Sequence, residues 1–237
     1  MASPIDQFQI ISYFSLILGR TEIPFTNSAL AMLLGSALQF VLLWALPRYS
    51  NFFKSTAELY CDFIADIVFG CAGKKADFLL PFASAIFSTI FFGNIIGLVP
   101  NIFTFTSHLL PNLLLGAIVL ASVVLVGFWK NGFEFLYVFW PRGISPFINV
   151  MIMAIELTSF LMRPISLCLR LSINMIVGHV MMKVFLILAK DFGRAGIVIA
   201  PMYIFVLFFE VFVAFLQAYI FTVMTCVYLQ DAVESHH

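Results

Sequence analysis

Long charge-free stretches separated by short polar punctuation dominate the chain, on a scale set by membrane thickness. Residues 23–47 carry no charge and end at Pro47-Arg48, enough for one helix across the ~30 Å hydrocarbon core. Asn51 to Lys75 reads differently. Glu58, Asp62 and Asp66 recur every four residues among apolar neighbours, which puts them on one helical face. An amphipathic helix at the interface is expected over 50–75. Residues 78–129 hold no Lys, Arg, Asp or Glu, too long for one crossing and right for two. Gly97-Leu-Val-Pro100, Thr104-Phe-Thr-Ser-His108 and Pro111-Asn112 mark the turn between them.

An aromatic-rich interfacial link follows over 130–145, with Phe133, Phe135, Tyr137, Phe139 and Trp140 at headgroup level. From Pro146 to about Ala189 the pattern stays helical, which amounts to ~66 Å. Ala195 to Leu229 adds another ~50 Å. Only Lys190-Asp-Phe-Gly-Arg194 separates the two runs, so 146–229 is expected to form a helical hairpin. Both arms exceed the bilayer core, which calls for tilt or bending. An N-terminal segment (1–22) and a C-terminal tail (230–237) flank these elements. The expected fold is an all-α integral membrane protein. Five helices cross, one amphipathic helix lies at the interface, and the last two crossings make a long, steeply tilted hairpin.

Composition agrees with a membrane chain: 62% of residues are hydrophobic, 10% are charged, and mean hydropathy is +1.07, far from a soluble domain. Net charge is zero, so no nucleic-acid partner is implied. Cys61, Cys71, Cys168 and Cys226 are scattered, without a disulfide framework or metal-ligand spacing; no metal or cofactor is expected. Met1 to Asp6 lacks a basic n-region, so no cleavable signal is expected. Arg48, Lys54, Lys74, Lys75, Lys130 and Arg142 would gather on one side, against Arg20, Lys190 and Arg194 on the other. The positive-inside rule then puts the N-terminus outside and the C-terminus inside. No internal repeat is visible, which counts against inverted-repeat transporters.

The chemistry lies in the last third. A charge at mid-membrane costs at least ~2.5 kcal/mol, so such residues face a polar path or a partner. Glu156, Arg163, Arg170 and Asn174 fall within ~40° of one another on a straight helix and make a stripe ~27 Å long. Arg170 stays protonated and suits a fixed charge that attracts a carboxylate; a salt bridge to Glu156 or Glu210 is the structural alternative. His179 and Glu210 lie at comparable distances from the hairpin loop, where an imidazole beside a carboxylate makes a proton relay. His179, however, sits ~180° from Arg170 on an ideal helix, so it needs a bend or another neighbour. Gln217, seven residues after Glu210, shares its face. Asp231 at the inner end is expected to act with Glu156. Asn94 is expected to hydrogen-bond between helices, and His108 with Thr104, Thr106 and Ser107 lines either an outer vestibule or a polar turn.

Arg163-Pro-Ile-Ser-Leu-Cys-Leu-Arg170-Leu-Ser-Ile-Asn174-Met-Ile-Val-Gly178-His179 resembles the signature of subunit a of the F-type rotary ATP synthase. Glu210-Val-Phe-Val-Ala-Phe-Leu-Gln217-Ala-Tyr and Asn94-Ile-Ile-Gly-Leu-Val-Pro100 resemble it too. The likeness covers nearly the whole chain and looks like the mitochondrial and alphaproteobacterial branch. It implies a non-catalytic stator subunit beside a ring of c subunits, with peripheral-stalk and other membrane-sector subunits and lipids as partners. Arg170 would face the ring between two offset half-channels. His179, Glu210, Asn174 and Gln217 would line the outer one, and Glu156 and Asp231 the inner one, with Arg163 and Asn94 in support. A proton-coupled secondary transporter is the alternative. The 29 phenylalanines fit an AT-rich organellar genome, which points to the mitochondrial inner membrane, with the bacterial inner membrane as the other choice. Ser172-Ile173 stands where Phe-Ala or Phe-Gly is common, so packing at the ring is expected to differ.

Overall fold

A computed structural model of the chain describes residues 12–18, 21–41, 43, 46–48, 50–73, 77–98, 105–132, 146–191 and 196–234. Most of the 130–145 link, Thr104, and the charges Arg20, Lys74, Lys75, Arg142 and Arg194 lie outside the described residues. So do Ser3 to Phe8 and the last residues of the tail.

The architecture is nearly all helical. Among the described residues its one departure is an antiparallel hairpin of β1 (Ser12–Leu18) and β2 (Thr21–Thr26). Ser-Tyr-Phe-Ser-Leu-Ile-Leu before Gly19-Arg20 mixes aromatic and β-branched residues ahead of a turn residue, the composition that favours strands. The all-α expectation is corrected to that extent. The hairpin also takes the first residues expected in the first crossing, so α1 begins at Asn27 and runs regularly to Phe40. α2 covers Asn51–Ala72, α3 Leu80–Gly97, α4 Leu109–Asn131, α5 Pro146–Asp191 and α6 Gly196–Glu234. Among the described residues four helical stretches are long and apolar enough to cross a membrane: 77–97, 109–131, 147–190 and 201–233.

α2 is built on the expected two faces. Glu58, Asp62 and Asp66 are exposed, while Ile64, Ile67 and Val68 are buried in the core. Lys54 and Glu58 stand 3.9 Å apart one turn from each other on the solvent side. The helix stops at Gly73, whose φ of 67° suits a residue without Cβ. Tyr60 leans from α2 onto α3 and donates to the Ser84 carbonyl at 2.9 Å. Burial pushes its phenol up to about 12, so it stays a donor.

α6 is the central packing element and touches α5, α3, α4 and α2. Ala214 and Ala218 are fully buried on it, small residues of the kind that let membrane helices approach closely. Phe63 of α2, Phe87 and Phe91 of α3, and Phe215 of α6 form an aromatic cluster with centroids 5.6–6.0 Å apart. α4 meets α5 at Gly116, where a Cβ would lie 2.5 Å from Cys168 Sγ and 3.6 Å from Pro164. Pro164 sits inside α5 and cannot donate to the Phe160 carbonyl one turn back. The lower ends are tied by Asn131 Nδ2, which donates to the Ala232 carbonyl at 2.8 Å.

Candidate functional site

Helix α5 presents two chemically different faces. Leu167, Cys168 and Leu171 turn into the core, whereas Arg170 is exposed between Leu169 and Ile173, which are exposed as well. Ile155, Met162 and Val177 extend this outward apolar strip. Neither Glu156 nor Glu210 forms an ion pair with Arg170 among the described residues. The packing salt bridge weighed for Arg170 is therefore absent there, and its guanidinium is a lone charge on an apolar surface. Asn174, one turn on, is half-buried.

On the opposite face His179 is 6% exposed, and on α6 Glu210 is 9% exposed. The helical offset that sets His179 ~180° from Arg170 agrees with its burial while Arg170 is exposed. Gly178 makes the approach of the two helices possible. The Glu210 carboxyl occupies the space a Cβ at Gly178 would need, so it lies directly on the α5 backbone at that residue. Its Oε2 is buried with no hydrogen-bond partner, an arrangement that invites a proton or a donor. Gln217, two turns along α6, is buried on the same face.

The inner end is organised around Arg163. Its Nη1 stands 3.8 Å from Asp231 Oδ2, and its guanidinium lies 5.2 Å from the Tyr228 ring centroid. Asp231 is expected to act with Glu156; the ion pair it forms is with Arg163, while Glu156, two turns earlier on α5, is half-buried. Asn94 is fully buried, and neither of its amide atoms has a hydrogen-bond partner among the described residues. Thr106 and Ser107 are buried rather than lining an open vestibule, and His108 is half-buried.

Ser172 also moves from its expected place. It is 3% exposed and points away from the Arg170 face, where Asn112 Nδ2 donates to its hydroxyl at 2.7 Å and to the Thr106 carbonyl at 2.6 Å. Ser172 therefore serves the α4–α5 contact, while Ile173 stands on the exposed face beside Arg170.

Three residues were not singled out from the sequence. Gly178 carried no signal beyond its place in a motif. Asn112 looked like a turn residue. Lys183 was legible: it is a charge inside a membrane-spanning stretch, one turn beyond His179, half-buried, and close enough to act on the imidazole electrostatically. Among the described residues no group of three or more His, Cys, Asp or Glu side chains is arranged to hold a metal.

Comparison with known proteins adds the family. The profile described as ATP synthase A chain matches residues 27–230. The protein named ATP synthase subunit a in Nitrobacter hamburgensis is 38% identical over 247 aligned residues, covering 100% of both chains. Its namesake in Rhodospirillum rubrum is 36% identical, again across 100% of each chain. The one in Beijerinckia indica is 40% identical, covering 99% of this chain and 97% of its own. With the profile spanning α1 to α6 and full-length relatives at this identity, the chain belongs to the ATP synthase subunit a family.

Proposed function

We propose that this protein is the proton-conducting stator subunit of an F-type ATP synthase, with no catalytic activity of its own. It carries protons to and from the carboxylates of an adjacent c-ring through two offset half-channels. The observation that carries this reading is the division of α5. A permanent cation, Arg170, is exposed on an apolar face, and two protonatable side chains, His179 and Glu210, are buried away from it. A partner surface that covers Leu169, Ile173 and Val177 excludes water, so a carboxylate brought against Arg170 is held ionised. The same carboxylate takes up a proton once it has moved past the guanidinium.

In this scheme the outer path runs by His179, Glu210, Asn174 and Gln217, with Gly178 admitting the Glu210 carboxyl to the α5 backbone. The inner path ends at Glu156 and Asp231, with Arg163 paired to Asp231. Asn94 supports the helix that backs α6. α1 supplies the fifth crossing, and the α5–α6 hairpin lies tilted along the ring, which accounts for arms longer than the bilayer is thick. Peripheral-stalk and other membrane-sector subunits complete the surroundings. The relatives are bacterial, which favours the bacterial inner membrane over the mitochondrial one suggested by phenylalanine usage.

The test uses the assembled complex in sealed vesicles with Arg170→Ala. ATP synthesis and ATP-driven pumping should vanish while the complex stays intact and passive proton leak is retained or raised. Near-normal coupling would remove Arg170 from the mechanism and the proposal with it.

A further inference from the structure

Behind the helix that presents Arg170 lies a cavity of about 300 Å³, between α1, α3, α4 and α5. It runs from the turn holding Thr106 to Ile118 near the middle of α4, and its floor reaches Leu171, the neighbour of Arg170. Its walls are mostly carbon, contributed by Ile90, Leu115 and Leu171 among others. The mouth opens sideways between Met32 on α1 and Leu114 and Ile118 on α4, which are 41%, 58% and 58% exposed. α4 is one of the membrane-spanning stretches, so this mouth faces hydrocarbon rather than water.

Most of the polar groups in its lining are already engaged, with Thr89 exposed at the rim. Ser36 donates to the Leu33 carbonyl, Gln39 to Ser88 Oγ, and Asn112 to Thr106 and Ser172. The Thr106 hydroxyl has no partner, but a trapped water needs about two to four polar partners. Water is therefore poorly held. An empty void forfeits dispersion contacts along its whole lining, and in a bilayer packing of this kind is what drives association. The volume stands at the lower end of ligand cavities, about 300 Å³.

We propose that this cavity is a specific lipid site that takes one acyl chain of a membrane phospholipid from the side. The chain is recognised by shape and apolarity, with the headgroup left at the membrane surface. The bound chain packs on Leu171 and so backs the segment that carries Arg170. This site does not depend on the proton-path reading, and its test reads lipid contact rather than coupling.

The experiment places the assembled complex in nanodiscs containing a phospholipid with a photoreactive diazirine on its acyl chain, and maps adducts by mass spectrometry. Adducts are expected on Met32 to Gln39 and Leu114 to Ile118, several-fold above those on Leu125, which is 69% exposed on the same α4. Ser36→Phe, which fills the void from α1, should bring them down to the Leu125 level. Ile118→Phe narrows the mouth and should act alike if the first variant does not assemble. Labelling no higher than at Leu125, labelling unchanged in the variant that assembles, or preferential labelling by a water-soluble carbene reagent would each overturn the proposal.

Discussion

Gly178 is the position at which a single missing carbon decides the geometry of the site. The Glu210 carboxyl fills the volume a Cβ would take, so Gly178→Ala must push α6 or the carboxylate aside. Misplacement on that scale lowers turnover by roughly tenfold to a hundredfold. ATP-driven proton pumping of the Gly178→Ala complex should fall accordingly with normal assembly, and wild-type pumping would mean Glu210 has room to swing clear. Tyr60 gives a second prediction at this scale. Its buried phenol has a pKa raised from 10.0 to about 12, so the folded state favours the neutral form. The resulting stability is complete below the free value and is lost as pH climbs through about 12. Thermal unfolding across alkaline pH should therefore show an extra loss in the parent that Tyr60→Phe lacks. The charged residues were legible in the sequence because an ion in hydrocarbon stands out whatever it packs against. Gly178 and Asn112 were not, since their roles exist only through Glu210 and Ser172 on other helices.

At the scale of elements, the contact of α4 with α5 rests on Gly116 against Cys168 and Pro164. Cys168 donates to the Asn112 carbonyl at 2.9 Å, and Ser172 to the Cys168 carbonyl at 3.1 Å, so the seam is bonded as well as packed. Gly116→Ala should cost about 1–3 kcal/mol by overpacking. Adding Cys168→Ala should return part of that loss, as seen by the unfolding temperature of the purified complex. Additive losses would show that α4 and α5 do not meet there. Helix spans of α2 to α6 were readable from charge spacing because the bilayer imposes lengths on apolar runs. The β1–β2 hairpin was not readable, because a short apolar run leaves helix and strand undecided. The late start of α1 follows from it.

For the whole molecule, sidedness is the property most open to a direct check. Cys61 is exposed on α2, whereas Cys168 and Cys226 are buried. In sealed vesicles a membrane-impermeant maleimide should label Cys61 from the cytoplasmic side alone, leaving Cys168 and Cys226 unmodified. Labelling of Cys61 from the opposite side would invert the topology inferred from the basic residues. By itself the sequence determined that the chain lives in a membrane, where its long helices lie, and which ionisable residues stand inside them, because hydrocarbon penalises every charge and sets every crossing length. Only the tertiary structure decided which way those residues face: Arg170 outward, His179 inward, Glu210 against Gly178, Asp231 onto Arg163, and a void behind Leu171. Those relations depend on helix rotation and on which small residue meets which large one, and no local run of sequence encodes either.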